Sequence, residues 1–429
     1  MMNAHILSIG NELLIGDTVN TNAAWLGRFL TEQGFYVEQV TILSDEEDAI
    51  RNAIRQSLSA AKLVISTGGL GPTHDDITKK VVADLFDSEL VEDGDILQSI
   101  RERAERRGIV MTPARREQAM VPDSCEAMPN ARGTAPGLWF DRGESVLVLL
   151  PGVPYEMRYL MEHGVKPRLS YRYPDREVYA TRYLKTAGVA ESTLSDEVIG
   201  DLKPWLGSGN GVAYLPSPAG VTIRISRSGR SAAEAEEQLE PLLQHIRTKA
   251  SRFIYGEGRD ATLEEVLGSL LRKKELSLAV AESCTGGLVS DALTDVPGSS
   301  DYFRGGVVAY DNAVKMSELG VRGRTLDKYG AVSKEAALEM ARGVAERLGT
   351  DIGISTTGIA GPSGGTDEKP VGTVWTGYWI RGDHFALHSV FGDDRRLNKL
   401  RTTTLLLETV RRKLLGIDPI PYELTPFRP

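Results

Sequence analysis

Apolar positions along the chain follow two alternating rhythms. AHILSIG (4–10), YVEQVTILS (36–44), KLVISTGG (62–69) and ESVLVLLPG (144–152) are short apolar runs ending in turn residues, the mark of strands buried in a sheet. Between them, apolar residues recur at helical spacing in TNAAWLGRFLTEQG (21–34), DEEDAIRNAIRQSLSAA (45–61), KKVVADLF (79–86), the charged stretch 95–107 and VPYEMRYLMEHG (153–164). Gly34 closes the first of these helices, and acidic residues open the second. Strands alternating with helices predict βαβ units and a largely parallel sheet over residues 1–170.

The rhythm changes at SYRYPDREVY (170–179), a polar and aromatic stretch read as a linker. After it come VYATRYLKTAG, a helix in AESTLSDEVIGDL (190–202), a hairpin over 211–229 and a long helix over 231–254, a small α+β module. From Gly256–Gly258 to Leu415 the βα alternation returns, and GIDPIPYELTPFRP (416–429) is a Pro-rich tail expected to be extended.

Composition narrows the classes. The chain has 429 residues and a formal charge of −9, which argues against a general nucleic-acid binder with a basic face. No run approaches a membrane span, and MMNAHILSIGNELLIG reads as strand and turn rather than signal peptide, so a cytoplasmic protein is expected. Cys125 and Cys284 stand in unrelated contexts, which disfavours a disulfide scaffold or a cysteine zinc site.

Three glycine turns follow apolar runs: VISTGGLGPTHDDIT (64–78), LAVAESCTGG (278–287) and IGISTTGIAGPSGG (352–365). Ligands in open α/β sheets bind beyond the carboxyl ends of strands, where glycines let backbone N–H groups approach a phosphate. At the first turn, Asp75 and Asp76 follow the glycines, and Asp45 follows another strand. Carboxylates beside a phosphate loop make sense if a divalent cation bridges them to the anion. A plain tight turn with Asp75 and Asp76 capping a helix is the competing account. GNELLIGDTVNTN (10–22), RGTAPGLW (132–139) and LPGVPYEM (150–157) add further turns that would converge on one pocket.

At the second turn Ser283 stands where a strand gives way to a helix, as a cap or as a nucleophile beside N–H donors; Cys284 is the rival, read as facing the core. A serine needs a base. Histidine is poorly supplied, with only His384 and His388 in the last third of the chain, both in a strand region. Lys315 lies early in a helix after GVVAY, where the helix's positive end and burial would lower its pKa. Tyr310 could relay a proton or hold the amine. The third turn offers Thr356, Thr357 and Ser363 to a small polar ligand, and FGDDRRLNKLR (391–401) adds Arg395 and Lys399.

GNELLIGDTVNTN, STGGLGPTHDDIT, GTAPG and PGVPYEM resemble the molybdopterin-binding fold of molybdenum-cofactor biosynthesis proteins, and more specifically the N-terminal domain of the CinA (competence/damage-inducible) family. The resemblance implies an ADP-ribose pyrophosphatase using a divalent cation (Mg, Mn or Co). Its substrate residues would be Gly68, Gly69, Gly71, Thr73 and Asn20, and its metal ligands Asp45, Asp75 and Asp76. AESCTGG, GVVAYDNAVK, GIAGPSGG with EKPVGTV, and FGDDRR resemble the CinA C-terminal domain, which implies nicotinamide-mononucleotide (NMN) deamidase without a metal. Carried over by position, Ser283 is the nucleophile, Lys315 the general base and Tyr310 the third member. Thr285, Gly286, Gly287, Thr357, Gly358 and Gly361 would contact substrate. Arg395 would meet its phosphate, with FGDDRR departing from the family's single Asp and leaving Arg396 as the neighbour in question.

The fold expected is α/β throughout. A three-layer α/β/α molybdopterin-binding-like domain (1–170) would precede an α+β KH-like domain (171–256), an α/β/α CinA domain (257–416) and an extended tail (417–429). The KH-like module offers GSGNG (207–211) without a basic flank, so it is read as a spacer or oligomerisation element rather than an RNA clamp. NMN and ADP-ribose are the expected partners, in a homodimer with no membrane. The competing reading is a nucleotide- or pterin-binding interaction protein linked to competence or DNA damage.

Overall fold

A computed structural model of the chain describes residues 2–71, 73, 76–106, 108–206 and 211–429. Asp75 and residues 207–210 of the GSGNG stretch lie outside the described residues. The chain divides into two compact units, Met1–Ala180 with Arg227–Gln238, and Thr181–Ser226 with Leu239–Pro429.

In the first unit, strands β1 (Met2–Ile9), β2 (Phe35–Leu43), β3 (Leu63–Thr67), β6 (Glu126–Met128), β7 (Gly137–Arg142) and β8 (Ser145–Leu150) form one sheet ordered β2-β1-β3-β8-β7-β6; β4 (Leu90–Glu92) and β5 (Met120–Pro122) pair separately. β2, β1, β3 and β8 are parallel, as the βα alternation predicts. Alternate residues of each central strand feed opposite faces. Ile6, Ile65 and Val148 pack with the helices Thr21–Glu32 and Pro154–Leu160, whereas Leu7, Val64 and Leu147 pack with Glu47–Ala60 and Thr78–Leu85.

Two expectations are corrected here. RGTAPGLW is not turn alone: Gly137–Arg142 is a strand running antiparallel to β8, because the chain reverses at Gly143 and returns directly. SYRYPDREVY is not a free linker. Its first residues finish the helix Lys166–Arg172, Tyr173 stacks edge-on against Phe35, and the nine-tenths-buried Arg176 donates to the Gln33 carbonyl at 2.7 Å.

In the second unit, β9 (Val178–Thr186), β10 (Gly211–Ser217), β11 (Gly220–Gly229) and β12 (Ile254–Glu257) form a sheet ordered β10-β11-β9-β12, with the predicted hairpin at β10–β11. A second sheet joins β13 (Leu278–Glu282), β14 (Phe303–Val308), β15 (Ile352–Gly358), β16 (Thr373–Ile380) and β17 (Asp383–Val390) in the order β14-β13-β15-β16-β17. β13, β14 and β15 are parallel; β16 and β17 are antiparallel additions. Leu278, Val280, Ile352 and Ile354 pack toward the helices Leu263–Lys273 and Arg395–Leu415, and Ala279 and Ala281 toward Lys334–Leu348. The tail is extended and ordered: Phe427 bridges Ala386 on the free edge of β17, and Arg412 holds the Pro419 carbonyl at 2.8 Å. Among the described residues no helix is long and apolar enough to cross a membrane.

Candidate functional site

The parallel strands β13, β14 and β15 place their carboxyl ends side by side, and each continues into one of the singled-out segments. Ser283 directly follows β13. Its N–H donates to the Thr356 carbonyl at 2.9 Å, which ties the serine turn to the end of β15. The turn needs Gly286 and Gly287 at φ values of 60° and 98°, a left-handed region that strains other residues.

Ser283 is not a helix cap. The helix Leu288–Thr294 begins five residues later, with Gly287 as its N-cap. Its opening N–H groups are also taken. The fully buried Glu282 carboxylate accepts from the N–H of Gly287 (2.9 Å), Val289 (3.1 Å) and Ser290 (2.8 Å), and from the Ser290 hydroxyl (2.7 Å). The expectation that this helix end offers free donors to an oxyanion or phosphate is therefore overturned. The N–H groups of Cys284 and Thr285 have no acceptor among the described residues, and they lie next to the Ser283 hydroxyl in the chain. Cys284 itself faces the core with Ala360 and Val374, and burial pushes its thiol up to about 11.

Lys315 sits in the helix Asn312–Leu319 and is 1% exposed. Its amine donates to the carbonyls of Ala309 (2.8 Å) and Tyr310 (3.0 Å). Ala309 in turn donates its N–H to the Glu282 carbonyl at 2.8 Å, so the amine is anchored one residue from Ser283 across adjacent strand ends. Burial lowers the Lys315 pKa, against an opposing pull from Asp311. Tyr310 holds the amine through its carbonyl, while its exposed phenol accepts from Arg395 at 3.1 Å.

Arg395 opens the last helix, and its other nitrogen donates to the Gly361 carbonyl at 3.0 Å, clasping Tyr310 to the third turn. One helical turn on, the Lys399 amine lies 3.6 Å from where a side chain on Gly286 would begin. Thr357 and Thr356 are not free donors. Thr357 gives its hydroxyl to the Ala331 carbonyl (2.7 Å), and Thr356 pairs with Thr285 (2.7 Å), so all three form the floor of the site. A side chain on Gly358 would strike the Thr373 carbonyl, so this residue too is part of the wall. His384 contacts the Leu338 carbonyl and His388 stacks on Trp375, both on β17 with β16 between them and the serine turn's neighbour β15.

In the first unit the loops after β1, β3 and β8 converge as expected, through a residue that sequence reasoning passed over. Asn22 donates to the Gly152 carbonyl (2.7 Å) and to Thr67 (3.3 Å), whose hydroxyl donates to Pro151 (2.9 Å). Asn20, expected at the substrate, caps the helix Thr21–Glu32 through its Oδ1, which accepts from Ala23 N–H. Gly68 and Gly69 admit no side chain: one would meet the Ile9 carbonyl at 2.2 Å, the other the Thr78 hydroxyl at 2.0 Å. Gly71 lies against the Asp76 carboxylate, whose Oδ2 accepts from the Thr73 N–H (2.9 Å) and hydroxyl. Asp45 Oδ2 accepts from Asn11 N–H at 2.9 Å. Glu156, also unanticipated, is buried against Gly133 and accepts from Asn130 at 2.6 Å; burial raises its pKa, opposed by that hydrogen bond.

Among the described residues no cluster of three or more His, Cys, Asp or Glu is arranged to hold a metal. Asp45 and Asp76 each keep one carboxylate oxygen, Oδ1, without a hydrogen-bond donor among the described residues, and Asn22 keeps a buried, unpartnered Oδ1. Carboxylate and amide oxygens are the donor type that a hard divalent cation takes.

Three family descriptions match successive stretches of the chain. Residues 5–171 match the family described as "Probable molybdopterin binding domain", 181–256 the "Damage-inducible protein CinA KH domain" and 260–414 the "CinA C-terminal domain". A CinA-like protein of Salinibacter ruber is 45% identical over 96% of this chain and 100% of its own, and one of Dictyoglomus thermophilum 41% identical over 97% and 100%. Among solved structures, the protein CinA of Thermoplasma acidophilum is 42% identical and covers 38% of this chain and 96% of its own, with a TM-score of 0.36. With near-complete coverage at this identity, and three domain matches in succession, the chain belongs to the CinA family.

Proposed function

We propose that this protein is a bifunctional hydrolase of pyridine-nucleotide fragments: its C-terminal half deamidates NMN, and its N-terminal half cleaves ADP-ribose with a divalent cation. The observation that carries the first activity is the buried Lys315 amine held on the carbonyls of Ala309 and Tyr310, with Ala309 itself bonded to the residue that precedes Ser283. A neutral amine gives its two protons to Ala309 and Tyr310, and its lone pair remains for the serine hydroxyl. Lys315 takes the Ser283 proton while the serine oxygen bonds to the carboxamide carbon. The oxyanion accepts from the N–H groups of Cys284 and Thr285. Collapse breaks the C–N bond, Lys315 returns the proton, and ammonia leaves. Water then attacks the acyl ester, giving up a proton to Lys315; nicotinate mononucleotide departs and Ser283 regains its hydrogen. Arg395 and Lys399, one turn apart, suit the phosphate.

In the N-terminal half, Asp45 and Asp76 would hold the cation, which supplies charge neutralisation and a more acidic bound water. The diphosphate would lie along the backbone of the glycine loop, and Asn22 ties the loops after β3 and β8 together.

Ammonia release from NMN by the full chain tests the first activity: Ser283→Ala abolishes it, and retained turnover in that variant would remove the serine from the mechanism. For the second, chelator stops ADP-ribose cleavage and added Mg or Mn restores it. Nucleotide binding without cleavage in any metal would assign the N-terminal half to binding alone.

A further inference from the structure

A cavity of about 580 Å³ lies within the second unit, away from the serine turn, where the β10–β11 hairpin, the loop after β9, the end of β17 and the last helix meet. That volume is within the range of small-molecule sites. Its walls include the rings of Pro216, Pro218 and Phe391, and its polar lining includes Glu191, His388 and Arg401.

Three observations point to a ligand. First, the exposed Arg401 makes no hydrogen bond or ion pair among the described residues, whereas Arg411 and Arg412 further along the same helix are buried and bonded to Glu408. A guanidinium offers a planar fork matched to carboxylate or phosphate. Second, Glu191, exposed at the rim and likewise unpaired among the described residues, can accept from a ring amine or sugar hydroxyl. Third, His388 is stacked at 4.6 Å on Trp375, and burial lowers its pKa, so it meets the cavity as a neutral ring face and adds no second cation. Flat apolar walls, one free guanidinium and one acceptor together describe a planar ring carrying an anionic group.

The cavity also touches the catalytic frame. Phe391 N–H donates to the Gly372 carbonyl at 2.9 Å, and the buried Asn398 donates to the carbonyls of Gly392 (2.7 Å) and Ala360 (3.0 Å). The wall segment 390–392 therefore leads directly to Asp394 and Arg395, which start the last helix. We propose that this cavity is a second, regulatory site for a small heteroaromatic anion, bearing either a carboxylate or a phosphate, and that its occupant steadies the segment presenting Arg395.

Calorimetric titration of the full-length protein with nicotinate, AMP and the uncharged isostere nicotinamide tests this. At least one anion binds, and nicotinamide binds at least tenfold more weakly than nicotinate. Arg401→Gln and the cavity-filling Val390→Trp each weaken anion binding about tenfold or more, and Arg395→Gln leaves it unchanged. The anion also slows amide hydrogen exchange over 390–394. Absence of binding by both anions, or binding unchanged in Arg401→Gln, overturns the site. Binding lost in Arg395→Gln but kept in Arg401→Gln places the anion at the serine turn instead. Binding without slowed exchange overturns the regulatory role. None of these readouts depends on turnover, so the site can fail while the deamidase reading stands, and the reverse.

Discussion

Burying the Lys315 amine leaves a trace in pH dependence. Its folded pKa lies below 10.5, so between that value and 10.5 the unfolded chain binds more protons than the folded one. Stability therefore rises with pH across this window, and the burial penalty is fully present below the folded pKa. The proposed base works only when neutral, so kcat/KM for ammonia release climbs through the same lowered pKa in a pH–rate profile; a profile flat up to pH 10 would exclude Lys315 as the base. Glu282 carries a separate expectation. Glu282→Ala strips one carboxylate from three backbone N–H groups and a hydroxyl, and a loss of about 3 kcal/mol is expected in urea denaturation, with the serine turn loosened. The places of Ser283 after a strand and Lys315 early in a helix were legible from the apolar pattern, whereas the roles proposed for them came from the resemblance to the family. Glu282 was not, since an acid closing an apolar run looks like the first solvated residue. Only the fold shows that it is fully buried and consumes the helix end.

At the scale of elements, the helix Lys334–Leu348 lies so close to its sheet that side chains are excluded beneath it. One on Gly353 would begin 2.1 Å from the Ala341 carbonyl, and one on Gly377 would begin 2.2 Å from the Ala337 carbonyl. Gly353→Val must push the helix off β15, and destabilisation of about 2–4 kcal/mol is expected by thermal or urea unfolding. The parallel strands and their helices were readable from period and punctuation. What periodicity does not carry is direction: alternation in LWF and HFALH is the same whether a strand runs with or against its neighbour. That β7, β16 and β17 run antiparallel to their neighbours therefore came only from the structure. The SYRYPDREVY stretch misled for a related reason, because Arg176 looks solvated until its carbonyl partners are seen.

At the scale of the molecule, Glu408 in the last helix anchors two buried arginines. Arg411 pairs with it in two bonds, and Arg412 pairs with it while reaching the carbonyls of Pro419 in the tail and Ala187 beyond β9. Removing the acid alone leaves two buried cations, so Glu408→Leu is expected to cost about 3–5 kcal/mol, read as a lowered Tm of the full chain. The i,i+3 and i,i+4 spacing was visible beforehand, but it reads equally well as a solvated surface pair. The Glu282 cap has a further consequence for how the protein sorts anions. With those amide protons already engaged, the helix end offers no seat to free sulfate or inorganic phosphate, and in the proposed deamidase the pull on a charged nucleotide comes from the guanidinium and amine of the last helix. On a chain of net charge −9 that attraction is short-ranged and is screened beyond about 8 Å at 0.15 M salt. Under the proposed deamidation, raising ionic strength should thus increase KM for NMN and leave kcat nearly unchanged, so that turnover would follow the ionic strength of its surroundings.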